Sequence, residues 1–211
     1  MNHRPVSNSR ASVRMFESNL LEALSKVPFY VPLVVFLPVF GYVTWRALVA
    51  GQLGVPAYIG CFLLGLTIWT ATEYFVHRNV FHWLPPGKIG ARLHFIFHGV
   101  HHDYPNDALR LVLPPSVSIP LALAFYGLFS LIFAPPVLWG VFAGFIVGYI
   151  CYDTLHYALH HFAFQHPLFK ILKRNHMQHH FVGPNTGYGV TSPLWDWIMG
   201  TRGKPAGTKT A

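Results

Sequence analysis

Ten of the 14 histidines fall in four short clusters. They are His77 and His82; His98, His101 and His102; His156 and His160; and His176, His179 and His180. Neutral imidazole is a ligand for transition metals, and polar residues beside a bilayer are costly unless something binds them. The pairs His98/His102 and His156/His160 are four residues apart, so each shares one helix face; His176, His179 and His180 repeat the spacing of the second cluster. The five-residue step from His77 to His82 suits a helix end or a π-bulge better than a regular helix. Ten ligands suffice for two ions. A structural zinc site closes with four ligands and usually recruits cysteine. An all-histidine, two-metal set beside a membrane therefore points to redox iron that activates dioxygen. Imidazole also suits zinc and copper, so ligand type alone leaves the ion open.

Other polar groups adjoin these clusters. Asp153 precedes His156 by three residues and could accept its second ring proton, which would fix the tautomer. His94, His161 and Glu73 are expected to support the ligands without joining them. His3 reads as a tail residue and His166, before a proline, as structural. Asp103, Tyr104, Asn106, Asp107 and Arg110 follow the second cluster, and Asn185, Thr186 and Tyr188 follow the last. All eight are candidates to hold a substrate's polar end, against the alternative of turn and cap chemistry.

The elements that must position these groups are apolar. Hydrophobic residues make up 53% of the 211 and charged residues only 10%, far below the roughly 25% of soluble domains. Four stretches, 30–50, 56–76, 116–134 and 137–155, approach the roughly 20 residues of a membrane span. Short turns at 51–55 and at Pro135-Pro136 make two hairpins. The expected fold is thus all-α and membrane-integral, with four transmembrane helices in two hairpins and a histidine-rich helical cap. Residues 1–28 would form an N-terminal segment, 29–201 the membrane-embedded dimetal domain and 202–211 a disordered tail. Phe16, Leu20, Leu24 and Val27 recur at helical spacing, giving an amphipathic helix that lies on the interface or packs on the cap.

Arginine and lysine concentrate before the first span, between the hairpins and after the fourth, with only Arg46 on the other side. Both termini, the central loop and every histidine cluster should then face the cytoplasm. The expected setting is a bacterial cytoplasmic membrane. The net charge of +8 is spread between apolar spans without a nucleic-acid-reading motif, so no nucleic-acid partner is expected. Cys61 and Cys151 lie in apolar runs and read as buried packing thiols. Trp83, Trp195 and Trp197 read as interfacial anchors.

Longer contexts around the histidines carry a resemblance. The runs His94-Phe-Ile-Phe-His98-Gly-Val-His101-His102, Arg110-Leu-Val-Leu-Pro-Pro115, Tyr152-Asp-Thr-Leu-His156-Tyr-Ala-Leu-His160-His161 and Thr191-Ser-Pro-Leu-Trp195-Asp are similar to those of the fatty acid 2-hydroxylase family. That family belongs to the fatty acid hydroxylase and sterol desaturase superfamily, and the similarity runs from Glu73 to Thr201. It implies that all ten clustered histidines are metal ligands, that two irons serve activity (with zinc possible in purified protein), and that dioxygen hydroxylates C2 of an acyl chain. The acyl chain would be free or carried by a sphingolipid or ceramide-like lipid. No cytochrome b5 domain, common in eukaryotic members, occurs in these residues, which implies a separate electron donor such as cytochrome b5 or a ferredoxin with its reductase.

Other readings of the same histidines are a sterol, carotenoid or alkane oxygenase, a bis-histidine haem protein, and a non-catalytic metal carrier or sensor. A carrier usually needs ionisable groups along its spans, and here the predicted span interiors are nearly free of charge.

Overall fold

The computed structural model describes residues 6–183 and 185–203. His3 and the tail beyond Gly203 lie outside the described residues. Among the described residues nine α-helices run in order: α1 Asn19–Leu24, α2 Val31–Trp45, α3 Val55–Val76, α4 Gly87–His94, α5 Val100–Asp103, α6 Pro115–Ser130, α7 Val137–His161, α8 Pro167–Phe181 and α9 Leu194–Ile198. Among the described residues there is no strand. Wider π-helical turns continue α2 over Arg46–Ala50 and α3 over His77–Phe81, and a third, Phe95–Gly99, joins α4 to α5. Prolines open α2, α3, α6 and α8 in their first turns, where a missing N–H breaks no helical bond.

Among the described residues three helical stretches are long and apolar enough to cross a membrane: Val31–Ala50, Val55–Phe81 and Val137–His161. The chain is a multi-pass membrane protein on that basis. The stretch expected at 116–134 departs from expectation. Its helix, α6, ends at Ser130, and its 16 residues reach about 24 Å at 1.5 Å per residue, short of the roughly 30 Å hydrocarbon core. Pro120 within it also removes one backbone donor and crowds the carbonyl of Ser116.

Helix α7 is the central staff. Its apolar window is 72% buried within the protein, against 17% for α2 and 6% for α3, so the outer helices present their remaining faces to lipid. Lipid tails are as apolar as leucine, so close packing must hold these helices together. A Cβ on Gly144 of α7 would stand 1.9 Å from the Phe62 carbonyl oxygen, and one on Gly65 of α3 would stand 1.9 Å from that of Val141. Backbone meets backbone here, and only glycine permits it. Helices α2 and α3, neighbours in sequence, both lie against α7. Side chains bridge them, as where Thr44 Oγ1 and Tyr58 Oη lie 2.7 Å apart.

Several expectations need correction. Cys151 is exposed on the outer side of α7 and Cys61 is half-buried, so neither is a fully buried thiol. Trp83 and Trp197 are exposed, but Trp195 donates its indole N–H to Thr70 Oγ1 at 3.0 Å and is tied to α3. Arg46 stands over the Trp139 ring at 4.3 Å and donates to Tyr42 Oη. The N-terminal helix is only six residues long, capped by Ser18. Met15 and Val27 on either side of it are buried, while Leu20, Leu21 and Leu24 are exposed. The segment is therefore strapped onto the protein at its ends and shows apolar side chains outward from its middle.

Candidate metal centre

The histidines converge where α3 and α7 end and where α5 and α8 cross them. Regular helix would place His77 and His82 off one another's face, since five residues exceed one turn. The π-helical turn His77–Phe81 absorbs the extra residue and brings the two Nε2 atoms to 3.2 Å. Two groups of five result. His77, His82, His98, His102 and His179 offer ring nitrogens within 4.8 Å of one another, as do His101, His156, His160, His176 and His180.

The partition is crossed. From the segment around α5, His98 and His102 enter the first group and His101 the second; from α8, His176 and His180 enter the second group and His179 the first. Residues i and i+4 share a helix face, and the residue at i+3 is displaced round the axis by part of a turn. A helix lying between two centres can thus serve both. Sequence spacing alone pairs residues but does not say which group each pair joins.

Backbone carbonyls set the ring orientation. His77 Nδ1 lies 2.6 Å from the Tyr188 carbonyl oxygen and His179 Nδ1 2.7 Å from that of Thr186. A carbonyl only accepts, so both rings carry their proton on Nδ1, and their Nε2 atoms present bare lone pairs. His82 Nε2 stands 3.0 Å from His179 Nε2, and His98 Nε2 stands 3.0 Å from His77 Nε2. In the second group His156 Nε2 is 2.9 Å from His101 Nε2, and His160 Nε2 is 2.8 Å from His176 Nε2. Lone pairs converging in this way repel unless a shared cation lies among them. The donor set fits a transition metal in each group.

Electrostatics keep the rings neutral. Burial, followed by repulsion from neighbouring imidazoles, holds His98, His101, His102, His176 and His180 well below the usual histidine range. Burial and the nearby His179 hold His82 down to about 3. Neutral imidazole is the form that ligates metal.

Two buried carboxylates hold the loop that orients His77. Glu73 Oε1 accepts the Val190 and Thr191 amides at 2.6 and 2.8 Å, and Oε2 accepts the Thr191 hydroxyl. Asp196 accepts the Tyr188 and Gly189 amides at 2.9 and 2.7 Å. Glu73 thus acts on the centre through a loop. Asp196 does the same and was not singled out from sequence, although the Ser-Pro-Leu-Trp-Asp run contains it. Asp153 accepts the Leu113 amide at 3.3 Å rather than a proton from His156, whose ring faces the Leu111 carbonyl. His94 lies against Gly99 beside the first group, and the His161 ring lies tilted against that of Tyr157 at 4.5 Å.

The candidate substrate contacts are mostly occupied elsewhere. Arg110 pairs with Glu22 at 2.7 Å, donates to the Val13 carbonyl and to Ser25 Oγ, and lies 3.4 Å from Asp107. Asp107 accepts the Ser12 hydroxyl and the Leu109 amide. These two residues clamp the N-terminal strap, and Glu22, the strap's half of that clamp, has no signal in local sequence. Asp103 receives the Ser7 amide on its carbonyl, and Asn106 reaches the Asn8 carbonyl at 3.5 Å. Tyr104 closes a turn, its carbonyl accepting the Asp107 amide. Asn185 is exposed, Thr186 orients His179, and the Tyr188 ring stands 5.3 Å from that of His82.

Two adjoining cavities lie near this end of the protein, and the smaller one reaches the histidines. The larger, about 590 Å³, is apolar and runs between α3, α6 and α7 from Glu73 and Tyr152 to Trp69 and Phe125. The smaller, about 210 Å³, reaches His98, His101 and His156 beneath Phe16, Leu24 and Arg110. They share Phe81, Phe97, Leu113, Ser116, Val117 and Tyr152 as walls. Tyr152 precedes His156 by four residues, a spacing that places it on the face of that ligand; it too was not singled out from sequence.

Comparison with known proteins agrees with this geometry. Residues 62–201 match the family model described as fatty acid hydroxylase. The chain is 36% identical over 199 residues to a dihydroceramide fatty acyl 2-hydroxylase of Arabidopsis thaliana, covering 94% of this chain and 83% of that one. It is 40% identical over 207 residues to a ceramide very long chain fatty acid hydroxylase of Saccharomyces cerevisiae, and 36% identical over 222 residues to a fatty acid 2-hydroxylase of Rattus norvegicus. It spans 52% and 58% of the lengths of those two proteins. The solved structure of full-length scs7p, in which only the hydroxylase domain is visible, matches with a TM-score of 0.84 at 37% identity, over 92% of this chain and 73% of that one. With its family model covering most of its length and its fold shared with a solved hydroxylase domain, the chain belongs to the fatty acid hydroxylase family.

Proposed function

We propose that this protein is a membrane-bound dimetal monooxygenase that hydroxylates C2 of a fatty acyl chain, free or carried by a ceramide-like lipid. The observation that carries the reading is the placement of two five-histidine groups at the mouth of an apolar slot. The printed names of the relatives, fatty acid and ceramide hydroxylases, agree with it. They do not favour the sterol, carotenoid, alkane, haem or carrier readings.

The ten histidines would hold two ions, iron for activity. When bound, the ions would supply reductive activation of dioxygen. Overall, a C–H bond becomes C–OH, the second oxygen atom leaves as water, and two electrons and two protons are consumed. The protein's part is to hold the acyl chain and exclude water. The walls shared by the two cavities, among them Phe97, Leu113 and Tyr152, would lay the first carbons beside His98, His101 and His156. The strap residues Met15, Phe16 and Leu24 close that end against solvent. Glu73 and Asp196 keep His77 and His179 aimed by fixing the loop between 186 and 191.

The fourth crossing is assigned to α6 with the turn after it, which would need a locally thinned bilayer to span. Arginine and lysine at the histidine end favour a cytoplasmic site, and a separate redox protein would supply electrons. The relatives named above come from a plant, a yeast and a mammal and lend no support to a bacterial setting. The direct test is expression with an electron donor, followed by mass spectrometry of the lipid acyl chains. Accumulation of 2-hydroxy acids supports the reading; hydroxylation elsewhere, or none, rejects it.

A further inference from the structure

The far end of the large cavity is closed by aromatic side chains, one from each of its three helices. Measured away from the histidines, the last lining residue is Trp69 on α3, Phe125 on α6 and Phe145 on α7. They form a continuous wall. The Trp69 and Phe145 rings are 5.1 Å apart and nearly perpendicular, and Phe125 and Phe145 are 4.8 Å apart. Behind them, Phe129 packs on Phe145 at 5.1 Å and on Phe125 at 6.1 Å. Phe129 is buried and backs the wall from one turn further along α6.

The slot has a definite length as a result. From Phe81, beside the histidines, to Trp69 the wall of α3 extends about 18 Å at 1.5 Å per residue. Its lining is almost wholly apolar, and no charged group marks its closed end. A straight hydrocarbon chain entering from the histidine end would stop against the aromatic wall. Pro120, on the α6 side of the cavity, interrupts the hydrogen bonding of that helix.

We propose that Phe125, with Phe145 and Trp69, is the floor of the acyl slot and sets the length of chain whose C2 reaches the histidine groups. This rests on the reading of the slot as an acyl site. Phe125 is the member to vary: Trp69 lies against Glu73, and Phe145 is buried against α3 and Phe129. Phe125 is half-buried on a helix with an open outer face. Removing its ring would move the floor back to Phe129, one helical turn or about 5 Å deeper.

The experiment uses the full chain and its Phe125→Ala and Phe125→Trp variants, each incubated with an equimolar ladder of saturated ceramides differing only in acyl length. Lipid retained through purification is read by mass spectrometry, and 2-hydroxylated product is read separately after turnover with an electron donor. For Phe125→Ala the ratio of long to short retained chains should rise at least threefold over wild type. For Phe125→Trp it should fall by a similar factor. Unchanged retained-chain distributions in both variants would overturn the proposal, whatever the activity. Shifted retention without any 2-hydroxy product from the wild type would instead uphold the floor and reject the 2-hydroxylase reading.

Discussion

His98 and His101 sit one turn apart with ring centroids 5.7 Å from each other, yet they belong to different five-histidine groups. His179 and His180 divide in the same way from α8. The two groups are therefore built from shared helices, while each keeps its own five side chains.

That arrangement predicts how metal is lost. Purified wild type should carry two ions per chain by elemental analysis. Replacing His82 and His102 by alanine, which removes two members of the first group, should leave about one ion. Replacing His156 and His160 should do the same to the second. Retention of both ions in either double variant would remove those histidines from the ligand set. Chelation of the wild type should lower its thermal midpoint, because an ion that binds only the folded state contributes about 4 kcal/mol when it is a thousandfold above its Kd.

Glu73 supports the first group through the loop that it anchors. Glu73→Ala removes an acceptor for two amides and a hydroxyl, a loss of about 2–4 kcal/mol for a buried carboxyl with three partners. The variant should unfold at lower temperature and retain less metal in the His77 group than in the His156 group. Equal retention in both would show that the loop does not position His77.

The strap gives a pH dependence. Burial alone would raise the Glu22 carboxyl, but Lys26, the Met15 and Phe16 amides and Arg110 outweigh it and hold it at about 2, against 4.5 ordinarily. A carboxyl held lower when folded adds stability that is complete above its unfolded value. That contribution should fade as pH drops from 4.5 toward 2. The midpoint difference between wild type and Glu22→Gln, measured in detergent, should be constant near neutrality and shrink in that window. A difference that grows on acidification would contradict the clamp.

Much of the centre was legible because metal ligands sit at helical spacings that sequence displays directly. The five-residue step from His77 to His82 suits a helix end or a π-bulge, and the chain forms a π-helical turn there. What sequence could not display were long-range pairings. Asp107 and Arg110 looked like substrate contacts because they follow a histidine cluster, but Ser12 and Glu22, almost a hundred residues away, engage them. Asp153 illustrates the same limit: its position three residues before His156 shows proximity, and only the fold shows that the Leu113 amide reaches it. The apolar stretch at 116–134 satisfied composition, while the helix within it stopped short at Ser130.

In the proposed reaction dioxygen is split and one of its atoms is placed on C2 of an acyl chain. The decisive measurement is turnover of iron-loaded protein with a reductant, a ceramide and heavy-isotope dioxygen. The product should bear one heavy oxygen, located at C2 by fragmentation mass spectrometry. A C2 hydroxyl carrying solvent oxygen, or heavy oxygen at any other carbon, would contradict it.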